Sequence, residues 1–195
     1  MNVPGAVETA DAGVADEKAS PPTRRAVGAA LAVGALGVAL DQGTKALAAA
    51  RLTPGERVPL LGDLYGLSLV HNPGAAFSLG AGSTWIFTTA GVLASVAVVV
   101  FAVRRRGLRW GLALGMVLGG AVGNLVDRLG NPPGIGQGHV TDFLAYGNLF
   151  VGNIADVLVV VGVGLVCRNL LRGDKRGLPR AQSKARHGRV GARVR

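Results

Sequence analysis

Three stretches of this chain are too long and too apolar to sit comfortably in water. Thr84–Val103 holds twenty residues without a charge, Trp110–Val126 holds seventeen, and Leu149–Cys167 holds nineteen with one charge, Asp156. Ala26–Leu40 adds fifteen more, and the run resumes at Ala46–Ala50 after a polar step. A helix needs about 20 mostly apolar residues to cross a bilayer. Hydrocarbon offers no water to backbone N–H and C=O groups, so a spanning segment must satisfy them itself, as a helix does. The runs predict four transmembrane helices at about 26–48, 84–103, 108–128 and 149–170.

The placement of charge gives these helices a direction. The net charge of +10 would suggest nucleic acid in a soluble protein, but here the cations cluster at alternate connections. Arg24 and Arg25 precede the first span; Arg104, Arg105, Arg106 and Arg109 fill the turn between the second and third; residues 168–195 carry ten Lys/Arg against one acid, Asp174. The connection 49–83 has only Arg51 and Arg57, and 129–148 has none. The positive-inside rule then predicts both termini in the cytoplasm and the connections 49–83 and 129–148 outside. The basic tail reads as a topology signal and an anchor to anionic lipid, not as a nucleic-acid arm.

The expected organisation is a disordered cytoplasmic leader over 1–23, a four-helix membrane body over 24–172 and a disordered basic cytoplasmic tail over 173–195. Arg24–Arg25, the apolar run and Ala46–Ala50 imitate a cleavable signal, but the acidic leader and three further spans favour an uncleaved first helix. Gly111, Gly115, Gly119 and Gly123 recur every fourth residue in span three, so one face can meet another helix closely. Arg57–Val70 is partly alternating, which predicts short strands on the outer surface between helices one and two. Pro73 and Gly74 mark a turn after Asn72, and His139–Leu144 is expected to lead towards span four. The fold class is thus an all-α polytopic membrane protein with a small extracytoplasmic β element between helices one and two.

Several chemistries lack their residues. There is no H-E-x-x-H, and His71, His139 and His187 lie apart, which argues against a zinc protease. There is no G-x-S-x-G elbow, and nothing supports Ser68 or Ser78 as a partner for Lys45. The single Cys167 reads as a filler thiol in the membrane.

What remains is acid in the apolar body: Asp41, Asp127, Asp142 and Asp156. A charge at the bilayer centre costs at least ~2.5–3.5 kcal/mol on insertion scales, so such groups pair, face a cavity or react. Asp41 and Lys45 are four apart, in the favourable ion-pair order on one helix face. Asn124 precedes Asp127 and Arg128 by three and four residues, so it is expected to face them. Asp156 is expected seven residues inside span four, roughly 10 Å along the helix, with Asn153 one turn earlier. Asp142 can reach it from the preceding connection. Two such carboxylates held close share a proton, and the pair can serve as general base and general acid. The residues alone leave three readings open: an acid dyad, ion translocation by a small proton-coupled carrier, and structural polar contacts.

Five motifs occur in order: Asp41-Gln-Gly-Thr-Lys45, Asn72-Pro-Gly-Ala-Ala-Phe77, Gly120-Ala-Val-Gly-Asn124-Leu-Val-Asp127-Arg128, Val140-Thr-Asp142-Phe143 and Asn153-Ile-Ala-Asp156. Together, over about 26–170, they resemble the lipoprotein signal peptidase family, also called signal peptidase II. The resemblance implies an intramembrane aspartic endopeptidase of the bacterial cytoplasmic membrane, cutting diacylglyceryl-modified prolipoproteins just before the lipidated cysteine. It implies four helices, an outer strand element and a short surface helix. It puts Asp142 and Asp156 in the catalytic positions. Asn72, Asn124, Arg128, Asn153, Asp41 and Lys45 would line the site, with Asp127 and Gly74 as structural neighbours. The implied partners are the lipidated prolipoprotein and membrane lipid, with no nucleic acid, no metal or other cofactor, and a monomeric enzyme. The chain departs from the family at Gly152, where an aromatic usually precedes the asparagine; Phe150 stands two residues earlier.

Overall fold

The computed structural model describes residues 23–74, 84–105 and 107–174. The expected leader and tail lie outside them except for Thr23, Gly173 and Asp174, as do residues 75–77 of the asparagine motif, Ser78, Arg106 and His187.

Among the described residues four helices form: α1 (Thr23–Arg51), α2 (Thr84–Ala102), α3 (Leu108–Gly130) and α4 (Ile154–Asp174). Each is long and apolar enough to cross a membrane. α2 buries only Thr84, Thr88 and Ala102, and Leu93 and Val96 point outward, as a helix facing lipid should. Cys167 likewise lies on the exposed surface of α4.

The hub is α3, against which α1, α2 and α4 all pack. Its glycines set the spacing. A methyl at Gly115 would fall 2.8 Å from the Ala30 carbonyl of α1, and one at Gly119 would fall 2.9 Å from that of Gly34. Gly120, one residue off this stripe, lies against Ala155 and Val159 of α4. Small residues thus let two helices approach α3 on adjacent faces.

The described residues also hold four strands, β1 (Val58–Leu61), β2 (Tyr65–Asn72), β3 (Val140–Tyr146) and β4 (Phe150–Gly152), in one antiparallel sheet of order β1-β2-β3-β4. The expected strand element between helices one and two is only half of it; the connection between α3 and α4 supplies the rest. β3 is flanked by β2 and β4 and buried along almost its whole length, so it shows no polar alternation. The short surface helix is not among the described residues.

The fourth helix also starts later than expected. Phe150–Gly152 pairs with Leu144–Tyr146, so the first apolar residues of the run belong to the sheet. Consequently Asp156 is not deep in a span. It stands in the first turn of α4. The sheet rests on the end of α1: Ala48, Phe143 and Leu144 form a small core with Leu52, Tyr65, Leu67, Tyr146 and Ile154 around it. Arg57 ties the outer hairpin down, donating to the Gly147 and Asp63 carbonyls at 2.8 and 2.9 Å.

Candidate active site

The polar residues gather where α1 and α3 end, α4 begins and the sheet lies across them. This is the end of the bundle away from the Arg-rich α2–α3 turn.

The N-terminus of α4 is closed by its own side chains. Asn153 Oδ1 accepts the Asp156 N–H at 3.0 Å, and Asp156 Oδ2 accepts the Asn153 N–H at 3.1 Å. This reciprocal pair satisfies one orphan helix amide and one at the cap itself. It also fixes Asp156, whose Oδ1 accepts from Asn124 Nδ2 of α3 at 2.9 Å. A carboxylate in a first turn is favoured further by the positive end of the helix dipole.

Asp142 comes from the middle of β3 and is 2% exposed. Its Oδ2 accepts from Asn72 Nδ2 at 3.0 Å, across the β2–β3 pair, and its Oδ1 accepts from Asn153 Nδ2 at 2.5 Å. Burial pushes the Asp142 carboxyl up to about 7, and the nearby Asp156 adds to the rise. The two asparagine bonds and Lys45 oppose it. Asn153 is therefore the joint between the two acids: one residue caps the helix of Asp156 and touches the side chain of Asp142.

A second layer lies behind. Lys45 forms ion pairs with Asp41 at 2.7 Å and Asp127 at 3.0 Å, and donates to Asn124 Oδ1 at 3.0 Å. Asn124 Oδ1 also accepts from Asn153 Nδ2 at 3.0 Å. Gln42 Nε2 donates to Asp127 Oδ1 at 2.9 Å and to the Gly123 carbonyl at 3.1 Å. Arg128 is buried and donates to the Gly74 carbonyl at 3.1 Å, while Gly74 N–H donates to Asn72 Oδ1 at 2.9 Å.

Asp41, Lys45, Asn72, Gly74, Asn124, Asp127, Arg128, Asp142, Asn153 and Asp156 thus belong to one connected polar cluster. One expected contact differs and another gains a member. The Asn124 side chain does not turn to Asp127 and Arg128; it reaches across to Lys45, Asn153 and Asp156, and only its backbone carbonyl meets Arg128, at 3.5 Å. The Asp41–Lys45 ion pair forms as its spacing predicts, and Asp127 joins it as a third member. Gln42 went unassigned in the sequence, although an amide between Asp41 and Lys45 in an apolar run was a visible signal.

Known proteins resemble this chain in sequence and fold. Residues 33–172 match the family model for Signal peptidase (SPase) II. The lipoprotein signal peptidase of Leifsonia xyli subsp. xyli is 49% identical over 161 residues, covering 80% of this chain and 74% of that protein. That of Mycobacterium bovis is 43% identical over 160 residues, covering 81% and 78%. A bacterial membrane enzyme solved by the in meso method matches with a TM-score of 0.69 at 24% identity, over 80% of this chain and 96% of its own, a likeness of fold. A second such structure gives 0.64 at 25% identity, over 75% and 94%.

Proposed function

The chain belongs to the signal peptidase II family, and from that premise we propose that it cleaves by an aspartate dyad. As a member it is a peptidase and a multi-pass bacterial membrane protein, in a family that removes signal peptides from prolipoproteins.

In the proposed reaction Asp142 holds the proton and Asp156 is ionised. Asp156 takes a proton from a water, whose oxygen adds to the scissile carbonyl carbon. Asp142 gives its proton to the carbonyl oxygen. The resulting gem-diol collapses as Asp156 passes the proton to the leaving nitrogen and Asp142 recovers one from a hydroxyl, so the dyad ends as it began. Burial of Asp142 with its carboxyl at about 7 supports the first role. The helix start and two hydrogen bonds at Asp156 support the second. The observation that carries the reading is the bridge through Asn153, which holds acids from β3 and α4 one residue apart.

The cut is proposed to fall just before the diacylglyceryl cysteine, in the cytoplasmic membrane near its outer leaflet, by a monomer with both termini in the cytoplasm. Arg24, Arg25, Arg104, Arg105 and Arg109 at the far end of the bundle support that orientation. The peptidase body proposed is 24–172, flanked by the leader 1–23 and the tail 173–195.

The test is cleavage of a lipidated precursor by full-length Asp142→Asn and Asp156→Asn proteins in vesicles. Each is expected to insert, fold and turn over no substrate. Turnover near the parent rate by either would overturn the dyad.

A further inference from the structure

The polar layer behind the dyad is wired to it through the backbone. Asp127 Oδ2 accepts the N–H of Thr141 at 2.8 Å, and Thr141 is the residue directly before Asp142. Asp41 Oδ1 accepts the N–H of Ala155 at 2.9 Å, and Ala155 is the residue directly before Asp156. Lys45 joins the two holding acids, at 2.7 and 3.0 Å. Both amides are ones the fold would otherwise leave open. β3 has no β4 neighbour before Leu144, so Thr141 has no ladder partner on that side. Ala155 is the second residue of α4, where helix amides have no partner within the helix.

We propose that Asp41, Lys45 and Asp127 form a bracket that sets the separation of the two reacting acids, with Lys45 a positioning residue that does not contact the peptide. The proposal rests on the dyad reading above. Each acid holds the peptide group in front of one dyad member, and the ammonium fixes the distance between the acids. The bracket also reaches the side chains, since Lys45 donates to Asn124 and Asn124 donates to Asp156. All three bracket residues are buried, Asp41 fully and Lys45 to 4% exposure. They lie under the dyad, with the Asn124–Asn153 layer between Lys45 and Asp142. Gln42 ties Asp127 to the backbone of α3 and keeps that arm from swinging.

Positioning and substrate binding part ways in kinetics. A misplacement of about 1 Å in a reacting group costs on the order of 100-fold in rate. In full-length protein in vesicles, Lys45→Met is expected to lower kcat on a lipidated precursor by about that factor, with KM for the precursor unchanged. A second readout belongs to the charge. Asp156 on α4, Lys45 on α1 and Arg128 on α3 are the charged groups that act on Asp142, and Lys45 favours its ionised form. The alkaline limb of the kcat profile should therefore move to higher pH in Lys45→Met, a shift that mere loss of folded protein cannot produce.

The bracket carries two acids for one base, so Lys45→Met leaves both unpaired and lowers the folded yield. Asp127→Asn is the companion variant: it keeps an oxygen for the Thr141 N–H and leaves one acid for one base, so it folds. It should lower kcat, by about tenfold, again without raising KM. A rise in KM with kcat held would make Lys45 a substrate ligand and overturn the proposal. So would parent kcat and an unmoved alkaline limb in both variants. If Asp142→Asn and Asp156→Asn retain cleavage, the dyad itself fails; if they are dead while the bracket variants match the parent, only the bracket fails.

Discussion

Asn153 Nδ2 donates to Asp142 Oδ1 at 2.5 Å while Asn153 Oδ1 accepts the Asp156 N–H at 3.0 Å. One carboxamide therefore does two separable jobs, a helix cap and a link to the opposite acid.

Replacing Asn153 should separate those jobs. Asn153→Ala loses both, and loss of an N-cap costs about 1 kcal/mol of stability. Asn153→Ser restores the cap acceptor but has no amide to reach Asp142. Thermal unfolding should recover in Asn153→Ser relative to Asn153→Ala, while cleavage stays low in both. Recovery of cleavage along with stability would show that the link to Asp142 is dispensable.

The reaction should fade as the medium becomes alkaline through neutrality. The Asp142 carboxyl is raised from 3.8 to about 7, so its proton is present below that value and lost above it. A group raised on folding stabilises the protein fully below its unfolded value, and that contribution is lost as pH rises towards the folded one. Parent protein should thus lose part of its thermal stability as pH rises from 3.8 to about 7, and lose turnover as pH passes through and above about 7. Asp142→Asn should lack that stability increment; an unchanged pH dependence of unfolding would argue against a protonated Asp142.

A methyl group at Gly123 would fall 2.6 Å from Asp41 Oδ2. Asp41 is fully buried and held by Lys45 and the Ala155 amide, so it has no room to yield. Overpacking of this kind costs about 1–3 kcal/mol. Gly123→Ala should lower the unfolding temperature, while Gly43→Ala, with open space around it, should not.

Gly152→Ala should damage catalysis more than folding. Its methyl would stand 2.9 Å from Asp156 Oδ2 and 3.5 Å from the Phe150 ring. Displacing that oxygen should lower kcat on the order of tenfold or more. Unfolding temperature near the parent value with reduced kcat is the expected pair of measurements; full activity would place the reactive oxygen elsewhere.

The helices were legible because a bilayer leaves few ways to satisfy a backbone, and a run such as Thr84–Val103 has no alternative. The cluster was legible because charge in such runs is conspicuous: Asp41, Asp127, Asp142 and Asp156 stood out by being there. The sheet was not. Val140–Tyr146 is buried on both sides and therefore lacks the alternation that marks a strand, and Phe150–Gly152 is too short to carry a period and shares its composition with the helix that follows. The start of α4 was hidden by that same continuity, although Asn153-x-x-Asp156 has the spacing of a reciprocal cap. Which amides Asp41 and Asp127 hold could not be read at all, since those bonds join residues 114 and 14 positions apart.

Because Asp156 is itself part of the α4 cap, closing the first turn of the fourth helix also fixes the carboxylate proposed to activate the water. Under the proposed mechanism, maturation of the fold and arming of the enzyme are then one event.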